Sequence, residues 1–377
     1  MKEGAGMEAI TFLCPGCGAY LRYDGGREKW VCDYCDSEFT KEELEQRGAA
    51  VEDSSYEVSP GDSGEQGKLE FEFQENITEQ EEDAHLRAYH CPSCGAEIIT
   101  DDVTAATFCV FCQNPTVLPQ KFSGKYHPSA VVPFETDKKQ AQEAFLKLCE
   151  GKKLLPDGFT EEQRLEKITG IYVPFWLFDC SADFDYHATG EIHTIWSDSR
   201  FHYTKIDLFH IHRAGTMDFA QIPLDASEKM QDDLMDALEP FDFSKAQPFD
   251  IRYLSGYLAE KYTYEPKDLY ERMTNRISPG VQRQAGQNSG RYHSVHSIRC
   301  DTKFKSEKQD YLLLPVWMLM SRYKDQNYLF AMNGQTGKIV GQLPIDSGKS
   351  VKWFFLIFLI SLVITGILAF LVGGVLL

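Results

Sequence analysis

Eight cysteines fall into one spacing used twice. Cys14 and Cys17 are followed, after fourteen residues, by Cys32 and Cys35, and Cys91 and Cys94 are followed, again after fourteen, by Cys109 and Cys112. Two residues between paired cysteines let both thiolates turn toward one cation, and a hairpin brings the second pair across to complete a tetrahedron. The chemistry this spacing predicts is Zn2+ binding at two structural sites, because four thiolates leave no open position for water or substrate. Gly18 and Gly95 stand where the chain must turn tightly after the first pair, and positive φ is expected there. Iron in a rubredoxin-like site would use the same ligands, so the spacing alone leaves zinc and iron both open. A disulfide framework is disfavoured because residues 1–12 carry Lys2, Glu3 and Glu8 and no apolar secretory run. A thioredoxin-type motif would need one pair at a helix start, not two pairs per module.

A module of about forty residues cannot bury enough apolar surface to fold unaided, so the metal is expected to supply its folding free energy. The elements that must hold these sites divide the chain into a first zinc ribbon (residues 1–41), an acidic linker (42–84), a second ribbon (85–123), an α+β domain (124–346) and a juxtamembrane segment with a transmembrane helix (347–377). The net charge of −19 is concentrated in the linker, where fifteen acids between Glu42 and Asp83 face only Arg47 and Lys68. With Ser, Gly and Pro interspersed, that segment reads as solvated and self-repelling. Charge also argues against nucleic acid. Phosphate affinity comes from Lys and Arg, whereas the first ribbon dilutes Arg22, Arg27 and Lys29 with Asp24 and Glu28, and the second offers Glu97, Asp101 and Asp102.

Residues 353–377 contain no charge, and residues 353–372 alone give twenty mostly apolar positions. As a helix these span roughly 30 Å of hydrocarbon at about 1.5 Å per residue. Lys349 and Lys352 precede the span and Trp353 can anchor it at the interface. The expected localisation is therefore a cell membrane crossed once by a carboxyl-terminal anchor, with the bulk of the chain in reducing cytoplasm.

Between these ends the pattern predicts a mixed α+β body. Ala141, Ala144, Phe145 and Leu148 make one helical face after Asp137. Thr160 with Gln163 suggests a second, short helix, Ser227 a cap for a third with Met230, Leu234, Ala237 and Leu238 inward, and Pro266 the first turn of a fourth with Leu269, Met273 and Ile277 inward. Strands are expected at residues 171–178, 184–195, 205–214 and 311–324. An internal echo, Ile171-Tyr172-Val173-Pro174-Phe175-Trp176-Leu177 against Leu312-Leu313-Leu314-Pro315-Val316-Trp317-Met318, predicts duplicated β-hairpins, each reaching a Thr-Gly turn at Thr189-Gly190 or Thr336-Gly337. Pro174 and Pro315 should mark strand starts or edges. His187, His193, His202, His210 and His212 lie in the strand-rich region without the ligand spacing of a known metal motif. His210 and His212 should share an outward face while Phe209 and Ile211 turn to the core. Cys149, Cys180 and Cys300 read as buried thiols. Ser347-Gly348-Lys349-Ser350 lacks the upstream glycine of a phosphate-binding loop.

The paired CPxCG ribbons, the Val173-Pro174-Phe175-Trp176 and Leu314-Pro315-Val316-Trp317 strands, residues 331–341 (AMNGQTGKIVG) and the terminal span together resemble bacterial transcription-factor-IIB-type zinc-ribbon membrane proteins, and the resemblance covers nearly the whole chain. It implies association with phage-shock or envelope-stress systems in Gram-positive bacteria. The function expected is a non-enzymatic adapter that docks membrane or peripheral stress-response proteins at the cytoplasmic face, with membrane lipid as its other partner and no small-molecule substrate. The alternative is a membrane-tethered nucleic-acid-binding regulator. An enzyme built on the histidine-rich sheet would need a pocket with convergent polar groups.

Overall fold

A computed structural model describes residues 7–8, 12–47, 86–90, 97–101, 104–108, 115–117, 126–161, 165, 167–287, 290–324 and 326–375. Most of the expected acidic linker, and all four cysteines of the expected second ribbon, lie outside them. The chain forms two compact units, one of Met1–His127 with Asp250–Lys261 and one of Pro128–Phe249 with Tyr262–Leu377.

In the first unit, β1 (Leu21–Asp24), β2 (Lys29–Cys32) and β3 (Glu38–Phe39) form a three-stranded antiparallel sheet, followed by α1 (Lys41–Arg47). The residues 42–47 expected to open the linker are thus helical. A capping box starts this helix: the Glu43 amide donates to Thr40 Oγ1 and the Thr40 amide to Glu43 Oε2. Leu44 is its buried anchor. Farther along, β4 (Leu86–His90) pairs antiparallel with β5 (Glu97–Asp101), and β6 (Thr104–Phe108) with β7 (Pro115–Val117). The late segment Leu258–Glu260 adds to the other edge of β6.

In the second unit, α2 (Lys138–Cys149) has the expected inward residues Ala141 and Phe145, and a capping box between Asp137 and Gln140 fixes its start. Three strands dominate: β8 (Thr169–Ser197), β9 (His202–Asp225) and β10 (Ser294–Tyr323), with β8 between the other two and antiparallel to both. The two runs expected at 171–178 and 184–195 are one strand. What differs between them is burial. Residues 170–178 are buried on both faces, residues 185–191 mostly alternate, and residues 194–197 are exposed. The sequence changes in step over the first two stretches, from a continuous apolar run to alternation, while the exposed end carries Ile195 and Trp196 as well as Thr194 and Ser197. At the change a bulge interrupts both ladders of β8 around Asp179 and Cys180, with Gln221 of β9 at φ 56° donating its amide to Asp179 Oδ1.

Two expectations change here. Thr189-Gly190 lies mid-strand, opposite His210-Phe209 on one side and His296-Val295 on the other, and makes no turn. Pro174 and Pro315 lie inside long strands, but each sits one residue beyond the end of a ladder. The β8–β9 ladder ends at Phe175 opposite Asp225. The ladder between β10 and β11 (Gln326–Asn333) ends at Val316 opposite Asn333. Each proline carbonyl then accepts from the residue after the partner strand, Pro174 from Ala226 at 2.8 Å and Pro315 from Gly334 at 2.8 Å. A missing donor is tolerated where a ladder stops.

The aromatics after these prolines are core. Trp317 and Tyr172 flank Phe134 at 5.0 and 5.1 Å, and Trp176 packs on Tyr311 at 5.3 Å. The motif at 331–341 is a turn organised by the buried Asn333, whose amide donates to the carbonyls of Leu238 and Pro240 while its Oδ1 accepts from the amides of Gln335 and Thr336. Thr336-Gly337 is the turn that was expected, with Gly337 at φ 75°.

Among the remaining helices, α3 (Asp232–Ala237) begins four residues later than expected, with Gln231 rather than Ser227 at its N-cap. Ser227 caps only a turn, through the Lys229 amide, and Met235 and Leu238 carry the buried face while Ala237 is exposed. The short helix expected after Thr160 falls mainly on residues outside the described ones. A 3-10 turn at Pro266–Leu269 runs into α4 (Tyr270–Ala285), which buries Met273 and Ile277 as expected, and Val281 and Ala285 besides. Finally, α5 (Ser347–Val375) is long and apolar enough to cross a membrane by length and composition. Its start is the Ser347-Gly348-Lys349-Ser350 segment, an ordinary helical first turn in which Asp346 Oδ1 accepts from the Lys349 amide. The Lys349 ammonium donates to the Leu155 carbonyl at 2.7 Å and pairs with Asp157, and Lys153 stacks on Trp353.

Candidate metal centre

Four thiols converge in the first unit. Cys14 Sγ lies 3.7 Å from Cys35 Sγ and Cys17 Sγ lies 3.5 Å from Cys32 Sγ, and all four sulfurs fall within 4.8 Å of one another. A tetrahedron with metal–sulfur bonds of about 2.3 Å has edges of about 3.8 Å, so the set is spaced to close around one ion.

Each pair is presented by the same local turn. The Gly18 amide donates to the Cys14 carbonyl and the Asp36 amide to the Cys32 carbonyl, both at 2.9 Å. The Cys14 amide reaches the Ala19 carbonyl and the Cys32 amide the Ser37 carbonyl. Gly18 takes φ 74°, as expected after the first pair, and Asp36 takes φ 55° at the matching place after the second. Asp36 carries no comparable signal in the sequence, because glycine is the usual residue at positive φ, although aspartate also visits this region.

The turns are flanked by cross-strand pairs in a fixed register. Leu13 pairs with Tyr20, leaving six residues between them, with cysteines first and fourth. Val31 and Glu38 frame the second turn identically. In β4–β5 the last pair is His90 with Glu97, and in β6–β7 it is Phe108 with Pro115. Each encloses six residues, and Cys91 with Cys94, and Cys109 with Cys112, again stand first and fourth.

Electrostatics suits a cation. The Ala19 amide draws the Cys17 thiol down, but desolvation and the neighbouring thiols Cys35, Cys32 and Cys14 outweigh it and push the thiol up to about 12. Hydrogen bonds from Ser37 draw Cys35 down to about 6. Crowded thiols that resist joint ionisation lose their protons together when a divalent cation takes their place.

Below the thiols, Trp30 packs on Tyr23 at 5.0 Å and on Tyr253 at 5.2 Å, and its indole N–H donates to the Arg252 carbonyl at 3.0 Å. The Tyr23 amide donates to the Ser255 carbonyl, and the Ser255 hydroxyl to the Leu21 carbonyl. Arg252 is held by Asp250 and Glu45. Gly256, at φ 91°, lets this segment close on the ribbon, since a Cβ there would lie 2.8 Å from Arg22 Cβ. The ribbon cations are engaged: Arg22 with Asp33 and Asp24, Arg27 and Lys29 with Glu38.

Cys149 and Cys180 are buried, as expected, and burial raises the Cys149 thiol. Cys300 is partly buried beside Tyr186 and Ile211. Of the five histidines singled out, the structure gathers His187, His210 and His212 on one face of the long sheet, with Asp185. Ile211 faces the core as expected, whereas Phe209 is partly exposed. His193 pairs with Glu191, and His202 with Ser197 near the tip.

No protein-family model matches the chain, and no solved structure matches it. It is 33% identical over 345 residues to a protein of Bacillus subtilis (strain 168) named "Uncharacterized protein YdjG", an alignment covering 92% of this chain and 93% of that one.

Proposed function

The chain belongs to the family of that Bacillus subtilis protein, and on this premise we propose that it is a single-pass membrane protein whose zinc ribbons dock other proteins at the cytoplasmic face. The observation that carries this reading is the closed four-thiolate set, which gives a metal a structural post and no position for a substrate. Zinc is the metal proposed, on the redox preference of thiolate sites in cytoplasm. Cys91, Cys94, Cys109 and Cys112 are proposed to hold a second ion, and the shared register of the strand pairs that flank each six-residue cysteine segment supports this. The apolar α5, preceded by Lys349 and Lys352, is the proposed anchor, with positive charge on the cytoplasmic side.

The partners proposed are membrane or peripheral proteins of an envelope-stress response. Full pairing of Arg22, Arg27 and Lys29 within the ribbon supports protein docking over phosphate binding. The matching carbonyl contacts of Pro174 and Pro315 support descent of the β8–β9 and β10–β11 hairpins from one repeat.

Crosslinking in native membranes, followed by detergent purification and metal analysis, tests the proposal. Two zinc ions per chain and a crosslinked protein partner are expected. Chain recovered from the soluble fraction with residues 347–377 intact would overturn the membrane assignment, and retention of DNA or RNA that weakens with salt would turn the docking role toward nucleic acid.

A further inference from the structure

The distal half of the long sheet has two unlike faces. Tyr186, Ala188 and Ile211 are buried on one, with Ala285 of α4 packed against them. The other carries Asp185 and His187 of β8, two residues apart on the same strand, with His212 directly opposite His187 on β9 and His210 opposite Thr189.

On that face the His187 Nε2 lies 2.9 Å and the His212 Nε2 2.8 Å from one oxygen, Asp185 Oδ1. The two imidazoles stack at 4.5 Å with 17° between their planes. The other nitrogen of His187, Nδ1, faces His210 Nε2 at 3.3 Å. We propose that Asp185, His187 and His212 form a second kind of metal site, for an exchangeable divalent first-row transition cation, with His210 as the residue that positions His187.

Two imidazoles and one carboxylate are a borderline donor set that suits Zn2+, Ni2+, Cu2+ or Co2+ and suits Mg2+ or Ca2+ poorly. Around a metal with bonds of about 2.0–2.1 Å, tetrahedral neighbours stand about 3.3 Å apart. Each imidazole nitrogen must therefore move about half an ångström farther from Asp185 Oδ1, and side chains on an open sheet face can do so. With Nε2 on the metal, His187 keeps its proton on Nδ1 and donates it to His210, so binding selects one tautomer and fixes the ring. Arg299, opposite His187 on β10, is the nearby opposing charge, and its guanidinium turns to Asp301 at 3.0 Å. Asp183 is occupied by Lys305 and Thr216. Three protein ligands leave a coordination position to solvent, in contrast to the closed cysteine set, and that openness makes the ion exchangeable.

A few residues along the same strand lies an internal control. His193 Nε2 and His296 Nε2 approach different oxygens of Glu191, at 2.9 and 3.6 Å, so these groups share no common point.

The test uses the full chain in detergent with its cysteine sites filled by zinc, titrated with Co2+. Zinc outcompetes cobalt at thiolates, so added cobalt reports other sites. One equivalent is expected, giving visible d–d absorption without the thiolate charge-transfer band. H212N alters a half-exposed side chain and should abolish this binding, as should D185N. H210N should weaken it by about 10- to 100-fold while keeping the spectrum. H193N and H296N should leave it unchanged. Absence of cobalt binding to the zinc-loaded chain, a thiolate band, or unaltered binding in folded H212N would each overturn the proposal.

Discussion

The cysteine cluster and the histidine cluster gather metal-binding side chains by opposite routes. The cysteines sit first and fourth in short turns, so each pair is positioned by four consecutive residues and only two pairs must meet. The histidines come from separate strands and meet because a register places His187 opposite His212. The first arrangement is closed: four thiols crowd one point above the Tyr23–Trp30–Tyr253 cluster, and only a cation would tie the two pairs to each other. The second is open, and lies on a sheet whose other face is already packed against α4. A metal should therefore be a condition of folding in the first case and an optional ligand in the second.

The largest effect expected from this contrast is on C32S. Cys32 is fully buried, and its loss should release the metal proposed there, withdrawing on the order of 10 kcal/mol of binding free energy from the fold. Metal content and limited proteolysis of residues 12–47 measure it, and a protease-resistant ribbon without metal would break the comparison. Next comes W30A, which empties the centre of the Tyr23–Trp30–Tyr253 cluster and should cost about 4 kcal/mol in denaturant unfolding of the first unit.

R252M should cost about 2 kcal/mol by freeing the part-buried Asp250 and the Glu45 contact. Burial pushes the Asp250 carboxyl up, but hydrogen bonds and charge from Arg252, with Lys41, outweigh it and hold the group below its ordinary value. Its contribution is thus present above the ordinary carboxylate pKa and is lost as pH falls through the depressed folded value. In R252M the acid limb of the stability–pH profile should flatten.

The smallest effect belongs to H212N, whose stability without added metal should stay within about 0.5 kcal/mol of the parent chain. A thermal unfolding scan checks this, and a large loss would mean that the histidine face is structural and that the contrast fails.

The same difference explains what was legible in the sequence. Four-residue spacing reveals a turn-borne ligand pair directly, so Cys14, Cys17, Cys32 and Cys35 were readable as one site. Helices α2 and α4 were readable for the same local reason, since Ala141 and Phe145, or Met273 and Ile277, recur within one turn. Asp185, His187 and His212 were not readable as a set, because the pairing of two strands across 27 residues decides it. The length of β8 was hidden as well: burial changes from two faces to one along a continuous strand, which imitates two strands and makes Thr189-Gly190 look like a turn. The capping signal of Thr40 with Glu43 is masked by the acidic run in which it lies. The start of α3 was misjudged because Ser227 caps a turn whose hydrogen bonds resemble those of a helix.

Leu155 and Asp157 hold Lys349, and Asp346 is shared between the Lys349 amide and the hydroxyl of Tyr323 at the end of β10, so the first turn of α5 is fastened to the sheet. If α5 is the proposed anchor, these contacts tie its tilt to the adjoining end of the sheet, so the thickness of the bilayer would bear on the orientation of the strands.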